Sequence, residues 1–301
     1  MGIINTGSFP KALWPGVKKW YGTEYNDYPV QFDQLFEKST SDKAWEEIVG
    51  QSGLGLAQVK PEGAAISYDS ERQGYTSRFT HTNYALGFII TEEMMDDDQY
   101  MIVGERRSKA LARSMRQTKE INAANVYNRA FNSSYTGGDG VSMINASHPN
   151  IAGGTWSNQI GTAADLSEAA LEQAVIDIQG FTDDRGLLIA TTVQSLIIPR
   201  QLVFEAQRIL KSDGRVGTDN NDPNVLKLMG SIPKVVVNQF LTDTDAWFIR
   251  TNTSGLHYFE RKADSFAQDN DFDTSNAKFK AQGRYTFGWS DPRSIYGSAG
   301  A

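Results

Sequence analysis

The residues of this sequence that could carry acid–base or metal chemistry are few and widely separated. Its three histidines are His81, His148 and His257, and none has a partner at the spacing of a metal site or a catalytic triad. We therefore interpret each histidine as structural. The chain has no cysteine, which excludes disulfides, thiolate catalysis and cysteine-ligated metals.

Two short motifs resemble ligand sites but lack essential residues. Alternate aspartates begin a calcium-loop pattern, but Thr274 stands where the loop needs glycine and Lys280 where it needs glutamate. The glycine pair in residues 53–55 lacks the third glycine and the following helix of a dinucleotide site. The sequence therefore predicts no enzyme, no metal site and no cofactor. The aspartates of the first motif are Asp269, Asp271 and Asp273.

Size and charge narrow the class of protein. With 301 residues the chain can form one large domain or two smaller ones, and its net charge of −7 gives no general attraction to nucleic acid. No apolar run approaches the roughly 20 residues of a membrane span. The N-terminus lacks the charged-then-apolar pattern of a signal peptide, so we expect a protein that stays in the cytoplasm of the cell that makes it.

The longest predicted element is a helix from Thr91 to about Phe131, a stretch without proline. Its length would be roughly 50–60 Å. It could be a buried core helix, a coiled-coil arm or a spine against which other elements lie. The scarcity of Leu, Ile and Val at heptad positions favours a spine, and we call it the spine helix. Its predicted inward stripe is Met101, Gly104, Ser108, Leu111, Ala112, Met115, Asn122, Val126 and Ala130.

The clearest strand signal lies near the C-terminus, where apolar and polar residues alternate from Lys278 to Trp289. We predict that the apolar side covers the stripe of the spine helix. The polar side is solvated or meets a partner. The apolar side consists of Phe279, Ala281, Gly283, Tyr285, Phe287 and Trp289.

A second extended region precedes the spine helix. Residues 64–69 and 75–90 are predicted to be the strands of a hairpin with its turn at 70–74, and the outer part is polar on both faces. A two-stranded ribbon alone is marginal in water. The hairpin is therefore either a flexible surface loop or a ribbon that a second molecule holds.

The remaining regions have weaker patterns. Residues 1–52 look like an arm whose scattered aromatic side chains must lie on the rest of the subunit or on a neighbour, and Asp33 to Val49 is predicted to form short helical turns. A compact α/β section follows the spine helix, with capping-box spacing at Asp165–Glu168 and a helix that stops at Gly180. Its other predicted elements are strands at 187–190, 195–198, 234–237 and 246–250 and a helix at 202–210.

Several short motifs follow one another along the chain, each occurring at one place. In order they are Gly53-Leu54-Gly55, Glu62-Gly63, Thr91-Glu92-Glu93, Asp97-Asp98, His148-Pro149, Asp183–Gly186, Ile198-Pro199 and Gly288–Arg293. With this order, the layout of arm, hairpin, long helix, α/β section and long strands resembles that of the major capsid proteins of tailed bacteriophages. Those proteins have the Hong Kong 97-type fold. The resemblance covers nearly the whole chain and is greatest to Mu-like head subunits.

The resemblance implies an α+β subunit that self-assembles as hexamers and pentamers into an icosahedral shell, the virion capsid, around double-stranded DNA. It divides the chain into an arm (1–52), an extended β-hairpin loop (53–90), a peripheral domain (91–135 and 250–301, with the spine helix at 91–131) and an axial domain (136–249). The hairpin would lie across the neighbouring subunit's spine helix and peripheral domain. The expected intersubunit contacts are Tyr68, Arg72, Tyr75, Arg78, Phe79, Trp14 and Trp20.

The resemblance also implies further partners, namely a scaffolding protein, a portal and, in some members, decoration proteins. Because the arm begins almost at Met1, we expect a separate scaffolding protein and no large processing event. The outer hairpin has Arg72 and Arg78 but no lysine, so we expect no isopeptide network between subunits. The alternative within the same fold is an encapsulin-like compartment, which would hold a cargo protein with a docking tail in place of DNA.

Overall fold

The computed structural model describes residues 14–91, 93–94, 100–214, 222–270 and 276–301. These residues form an α+β fold. The helices are α1 (Trp14–Asp27), α2 (Tyr100–Asn128), α3 (Glu168–Gln179), α4 (Val203–Lys211) and α5 (Val225–Met229). The strands are β1 (Glu37–Thr40), β2 (Trp45–Gln51), β3 (Gln73–Thr80), β4 (Thr82–Ile90), β5 (His148–Pro149), β6 (Thr155–Trp156), β7 (Val193–Pro199), β8 (Val235–Asn238), β9 (Trp247–Thr251), β10 (Leu256–Asn270), β11 (Ala277–Trp289) and β12 (Ile295–Ser298).

One four-stranded sheet, which we call the long sheet, has the order β1-β10-β11-β4 and packs against the spine helix, α2. Its strand β11 is antiparallel to both neighbours. The alternate residues of β11 from Ala277 to Tyr285 are buried, and Ala281 packs with Leu111 and Met115 of the helix. The prediction that this strand covers the spine helix is confirmed.

The spine helix has 29 described residues in α2, and part of its predicted first turns lies outside the described ranges. From Gly104 onward the predicted stripe is buried or half-buried, and Ala112 packs in one cluster with Ala281 of the sheet. Two charged residues outside that stripe, Lys119 and Glu120, are also buried. The sequence analysis did not predict their burial.

Helix α1 of the arm lies along the spine helix, so this part of the arm packs on its own subunit. Tyr21 is buried against Phe266 of β10, with ring centroids 5.0 Å apart. Downstream, the Glu120 carboxylate accepts hydrogen bonds from the backbone N–H groups of Gln31 (2.9 Å) and Phe32 (3.1 Å). Burial raises the pKa of Glu120, although these hydrogen bonds oppose the shift.

Two predictions for the region before the spine helix are wrong. Residues 33–49 are not helical turns: a short 3-10 turn at Phe32–Gln34 leads into β1 and β2. Residues 64–69 form no strand; the antiparallel partner of β3 is β2. Cross-strand contacts explain the pairing, because Arg78 stands opposite Glu47 and its guanidinium lies 4.2 Å from the Trp45 ring centroid.

The predicted strand at 75–90 is two strands that join different sheets. β3 belongs to the two-stranded ribbon with β2, whereas β4 forms an edge of the long sheet. His81 lies between them and is buried, with Nε2 3.0 Å from the Ser41 hydroxyl. The histidine therefore holds the point where the chain changes sheets.

The α/β section contains a second four-stranded sheet, the short sheet, with the order β12-β9-β7-β8. Strands β7, β8 and β9 and helix α4 confirm four of the predicted elements. Helix α3 is capped by Ser167, whose hydroxyl accepts a hydrogen bond from the Ala170 N–H, and not by Asp165. The predicted strand at 187–190 is wrong, because Ala190 has a left-handed φ of 51° that breaks an extended chain.

Candidate interaction surfaces

The ribbon of β2 and β3 is attached to its own subunit through β3. The Phe79 ring is buried, with its centroid 5.2 Å from Phe259 and 5.7 Å from His257 of β10. Gly288 makes room for it, since a Cβ there would lie 2.8 Å from the Phe79 ring. The aromatic side chains of β10 therefore enclose Phe79 within its own subunit, and its expected contact with a neighbour stays a prediction.

The segment between β2 and β3, residues 52–72, leaves apolar side chains in water; we call it the ribbon loop. Val59 is 94 % exposed, Tyr68 is 91 % exposed and Leu56 is 73 % exposed. Large exposed apolar groups in one segment mark an interaction surface. The sequence analysis named only Tyr68 of this set; the available signal was a concentration of apolar residues in a glycine-containing stretch without helical or strand period. The set is Leu54, Leu56, Val59, Ile66 and Tyr68.

A small polar contact connects the ribbon loop to the loop before β7. The Asp69 carboxylate accepts hydrogen bonds from the Gly55 N–H at 2.8 Å and from the Arg185 guanidinium at 2.5 Å. Hydrogen bonds from the Gly55 and Ser70 N–H groups, followed by that from Arg185, lower the pKa of Asp69. The contact is exposed to solvent, so it holds the loop weakly.

The other ribbon residues expected to contact a neighbour are at or near the surface. Arg72 and Arg78 are exposed. Tyr75 is partly exposed and lines a cavity of about 490 Å³ together with Ile48 of β2. The structure thus places Tyr75 and Arg78 on the ribbon and Tyr68 and Arg72 on the ribbon loop.

The two expected contact residues of the arm lie in helix α1. Trp20 is half-buried and packs against the cluster that contains Val17, Ile90 and Phe279, so its ring already has partners within the subunit. Trp14 begins the helix, and its side chain lies outside the described part. Neither residue is on the ribbon.

A second exposed apolar surface lies on the short helices α4 and α5, which contact each other. Phe204, Leu228 and Met229 are mostly exposed, while Leu226 on α5 faces the core. The sequence analysis missed this surface. The residue that could have indicated this surface is Phe204, a large apolar side chain on the helix face away from the buried Ile209.

The histidines have structural partners, as their isolation in the sequence suggested. His148 is buried, with Nδ1 2.6 Å from the Asp139 carboxylate. His257 Nε2 lies 2.7 Å from the Ser290 hydroxyl, and burial lowers the pKa of His257. Each ring therefore takes part in a hydrogen bond that fixes a loop or a strand end.

The described residues show neither a metal-binding cluster nor a membrane-spanning helix. These residues contain no group of three or more His, Asp or Glu side chains arranged to hold a metal ion. None of their helices combines the length and apolar character that crossing a bilayer requires. Asp271 and Asp273 of the calcium-loop motif lie outside the described ranges.

Comparison with known proteins gives one family and several structural neighbours. A family model described as phage capsid protein matches residues 74–298. A virus-like particle from Pyrococcus furiosus is 10% identical, with a TM-score of 0.53 over 94% of this chain and 98% of that chain. The procapsid of bacteriophage JBD30 is 13% identical, with a TM-score of 0.53 over 98% of this chain and 76% of that chain. The mature capsid of bacteriophage PhiM1 is 12% identical, with a TM-score of 0.54 over 90% of this chain and 87% of that chain.

No curated protein matches the chain by sequence. At such low identities the structural neighbours show the fold alone, which is the Hong Kong 97-type α+β capsid fold. The predicted fold class is confirmed. The sequence match to the family model extends from the ribbon to the C-terminal strand, β12.

Proposed function

Because this chain belongs to the phage capsid protein family, we propose that it is the major head subunit of a tailed bacteriophage, nearest to the Mu-like group. Copies assemble as hexamers and pentamers into an icosahedral shell that encloses double-stranded DNA, and the subunit has a structural role without catalysis. The observation that carries this proposal is the ribbon loop, whose apolar side chains find no cover in their own described subunit.

The division of the chain gives each region a role in this proposal. The arm (1–52) and the spine helix support the peripheral domain of residues 91–135 and 250–301. The axial domain of residues 136–249 points to the centre of the hexamer or pentamer. The extended loop of residues 53–90 reaches a neighbour, and its ribbon starts earlier than the sequence indicated, at Trp45.

The proposed contacts between subunits involve surfaces that are exposed to solvent in the described part of the single chain. Tyr75 and Arg78 of the ribbon and Tyr68 and Arg72 of the ribbon loop meet the neighbour's peripheral domain. Trp14 and Trp20 of the arm are retained as weaker candidates. The exposed side chains on α4 and α5 support a second contact, between axial domains. Its residues are Phe204, Leu228 and Met229.

Other molecules complete the particle in this proposal. A separate scaffolding protein, a portal and decoration proteins act with the subunit, and assembly takes place in the host cytoplasm. The acidic chain encloses DNA without sequence-specific binding, a role that its net charge of −7 supports. An encapsulin-like shell would share the fold, whereas the family match favours a phage head; purified shells that hold cargo protein in place of DNA would reverse this choice.

The experiment that tests the proposal places a charge in the ribbon loop. The variant Val59→Asp should remain folded by circular dichroism but fail to form shells with the scaffolding protein, because the carboxylate would be buried between subunits. The matched control is Gln58→Asp, which puts the same charge on the adjacent exposed polar residue and should assemble. Shells of normal size and yield from Val59→Asp, seen by electron microscopy and sedimentation, would contradict the proposal.

A further inference from the structure

A lysine and an aspartate meet in the interior, where the spine helix packs on the long sheet. Lys119 Nζ lies 2.9 Å from Asp264 Oδ2, and the two side chains are 2% and 1% exposed. The aromatic rings of Tyr285, Tyr258 and Phe32 have their centroids 4.9, 5.8 and 6.0 Å from Nζ. An amine and a carboxyl group are thus held together at reaction distance in a site closed to water.

A second carboxylate lies within reach of the same amine. Glu260 Oε1 is 3.7 Å from Lys119 Nζ, and Glu260 also accepts hydrogen bonds from the Tyr258 hydroxyl (2.8 Å) and pairs with Lys38 (3.1 Å). Burial acts to raise the pKa of Glu260, but these partners and the charge of Lys119 outweigh it and lower the pKa. Glu260 is therefore ionised, and a shift of about 0.5–1 Å would bring its carboxylate to the roughly 2.6–3.2 Å at which it can take a proton from Nζ.

The site is shaped around the Asp264 carboxyl group. The pairing of β10 with β11 is irregular between Lys262 and Ser265, and Gly283 of β11 leaves room for the carboxyl, since a Cβ there would lie 1.8 Å from Asp264 Oδ1. The Tyr25 hydroxyl donates to Oδ2, whereas Oδ1 is buried and has no hydrogen-bond partner among the described residues.

An ion pair alone explains this arrangement poorly. Two buried charges carry a desolvation cost that only complete hydrogen bonding repays. Here one carboxylate oxygen is left without a donor in the described structure, so the pair is incompletely satisfied. An amide between the two side chains would remove both charges.

We propose that Lys119 and Asp264 become joined by an isopeptide bond within one subunit. The Lys119 ammonium passes one proton to the Asp264 carboxylate, and the resulting amine attacks Cγ to form the N–C bond. Glu260 takes a second proton from the nitrogen and returns it to the hydroxyl on Cγ. The C–O bond then breaks and water leaves. The products are one amide and one water, and no oxidant, reductant or co-reactant takes part.

The bond connects the spine helix to the long sheet of the same chain, so it creates no ladder of linked subunits on a denaturing gel. It agrees with the expectation that the hairpin forms no network between subunits. Because the reactants belong to one chain, the bond forms whether or not shells assemble, and its test is separate from that of the capsid function.

The test is the intact mass of the full-length chain, purified both as subunits and from shells, with peptide mapping. The wild-type chain should be lighter than its sequence by one water, and digestion should release a branched peptide that links Lys119 to Asp264. Lys119→Arg keeps the positive charge but should show the unmodified mass. A wild-type chain at its full sequence mass, with Lys119 and Asp264 in separate peptides, would overturn the proposal.

Two further variants distinguish this reaction from any other loss of water. Asp264→Asn should lose ammonia in place of water and give the same product as the wild type, so the two final masses should coincide. Glu260→Gln should slow the reaction and leave unmodified chain after purification. A loss of water that persists in Lys119→Arg would assign the mass change to another residue and overturn the proposal.

Discussion

The spine helix and the ribbon loop place the same kinds of side chain in opposite surroundings. Leu111 on the helix is buried between α1 and the long sheet, whereas Leu56 in the ribbon loop is 73 % exposed. The described part of a single subunit therefore completes the core around its spine helix and leaves the ribbon loop without apolar cover. This difference supports the proposal that a folded chain still needs copies of itself.

The largest expected effect comes from truncating one leucine in each region. Leu111→Ala should lower the free energy of unfolding by about 2–5 kcal/mol, because it leaves a cavity in the core. Leu56→Ala should change it by less than about 0.5 kcal/mol, because that side chain is already in water. Urea denaturation of both variants measures the contrast. A similar loss in Leu56→Ala would mean that the ribbon loop belongs to the core of the subunit.

The same contrast between buried and exposed side chains can be tested with two glutamates of the spine helix, Glu120 and Glu105. Glu120→Gln should lower stability by about 1–3 kcal/mol, because an amide nitrogen would face one of the two backbone N–H donors of residues 31–32. The matched change Glu105→Gln, on the same helix but partly exposed and paired with Lys109, should lower it by only about 0.3–0.5 kcal/mol. Equal effects in thermal denaturation would show that Glu120 does not attach the arm to the spine helix.

The smallest effect concerns the contact that holds the ribbon loop to its own subunit. The pKa of Asp69 is lowered in the folded chain, so the contact is present above the ordinary value of 3.8 and is lost as the pH falls through the lowered pKa. The exchange rate of the Gly55 amide, divided by its intrinsic rate at the same pH, should rise over this range while the spine helix stays protected. Asp69→Asn should produce the same acceleration at neutral pH, and unchanged exchange in that variant would contradict the contact.

The sequence predicts those helices and strands whose pattern of residues lies within the element itself. The alternation in β11 and the end of α3 at Gly180 are local, and the structure confirms them, whereas the cap of α3 is Ser167 and not the predicted Asp165. Most of strand β2 falls within residues 33–49, for which the sequence predicted short helical turns. Its pairing with β3 lies across the whole ribbon loop, and no local pattern shows it.

Burial of charged residues is the second feature that the sequence hides. Lys119 and Glu120 look like ordinary solvent-facing residues of a basic helix. Their partners are Asp264 in β10 and the backbone near Phe32, which are distant in sequence. Only the assembled fold shows that these charges lie inside.

The exposed surfaces were only partly predicted, because their exposure also depends on residues that are distant in sequence. The sequence indicated a ribbon with Tyr68 and arginines on it, because its outer part is polar on both faces. It also placed Phe79 on the surface, although β10 and Gly288 form a pocket for that ring. The sequence also predicted a strand at 64–69, where the structure has none and leaves Ile66 and Tyr68 exposed.

Hydrogen exchange of residues 52–72, compared between isolated subunits and assembled shells, tests most directly whether copies complete one another through the ribbon loop. We predict fast exchange of most of these amides in isolated subunits, apart from the few, such as that of Gly55, that are hydrogen-bonded within the subunit, and strong protection in shells, while the spine helix is protected in both. Protection of the ribbon loop already present in isolated subunits, or exchange that stays fast in shells, would contradict the account.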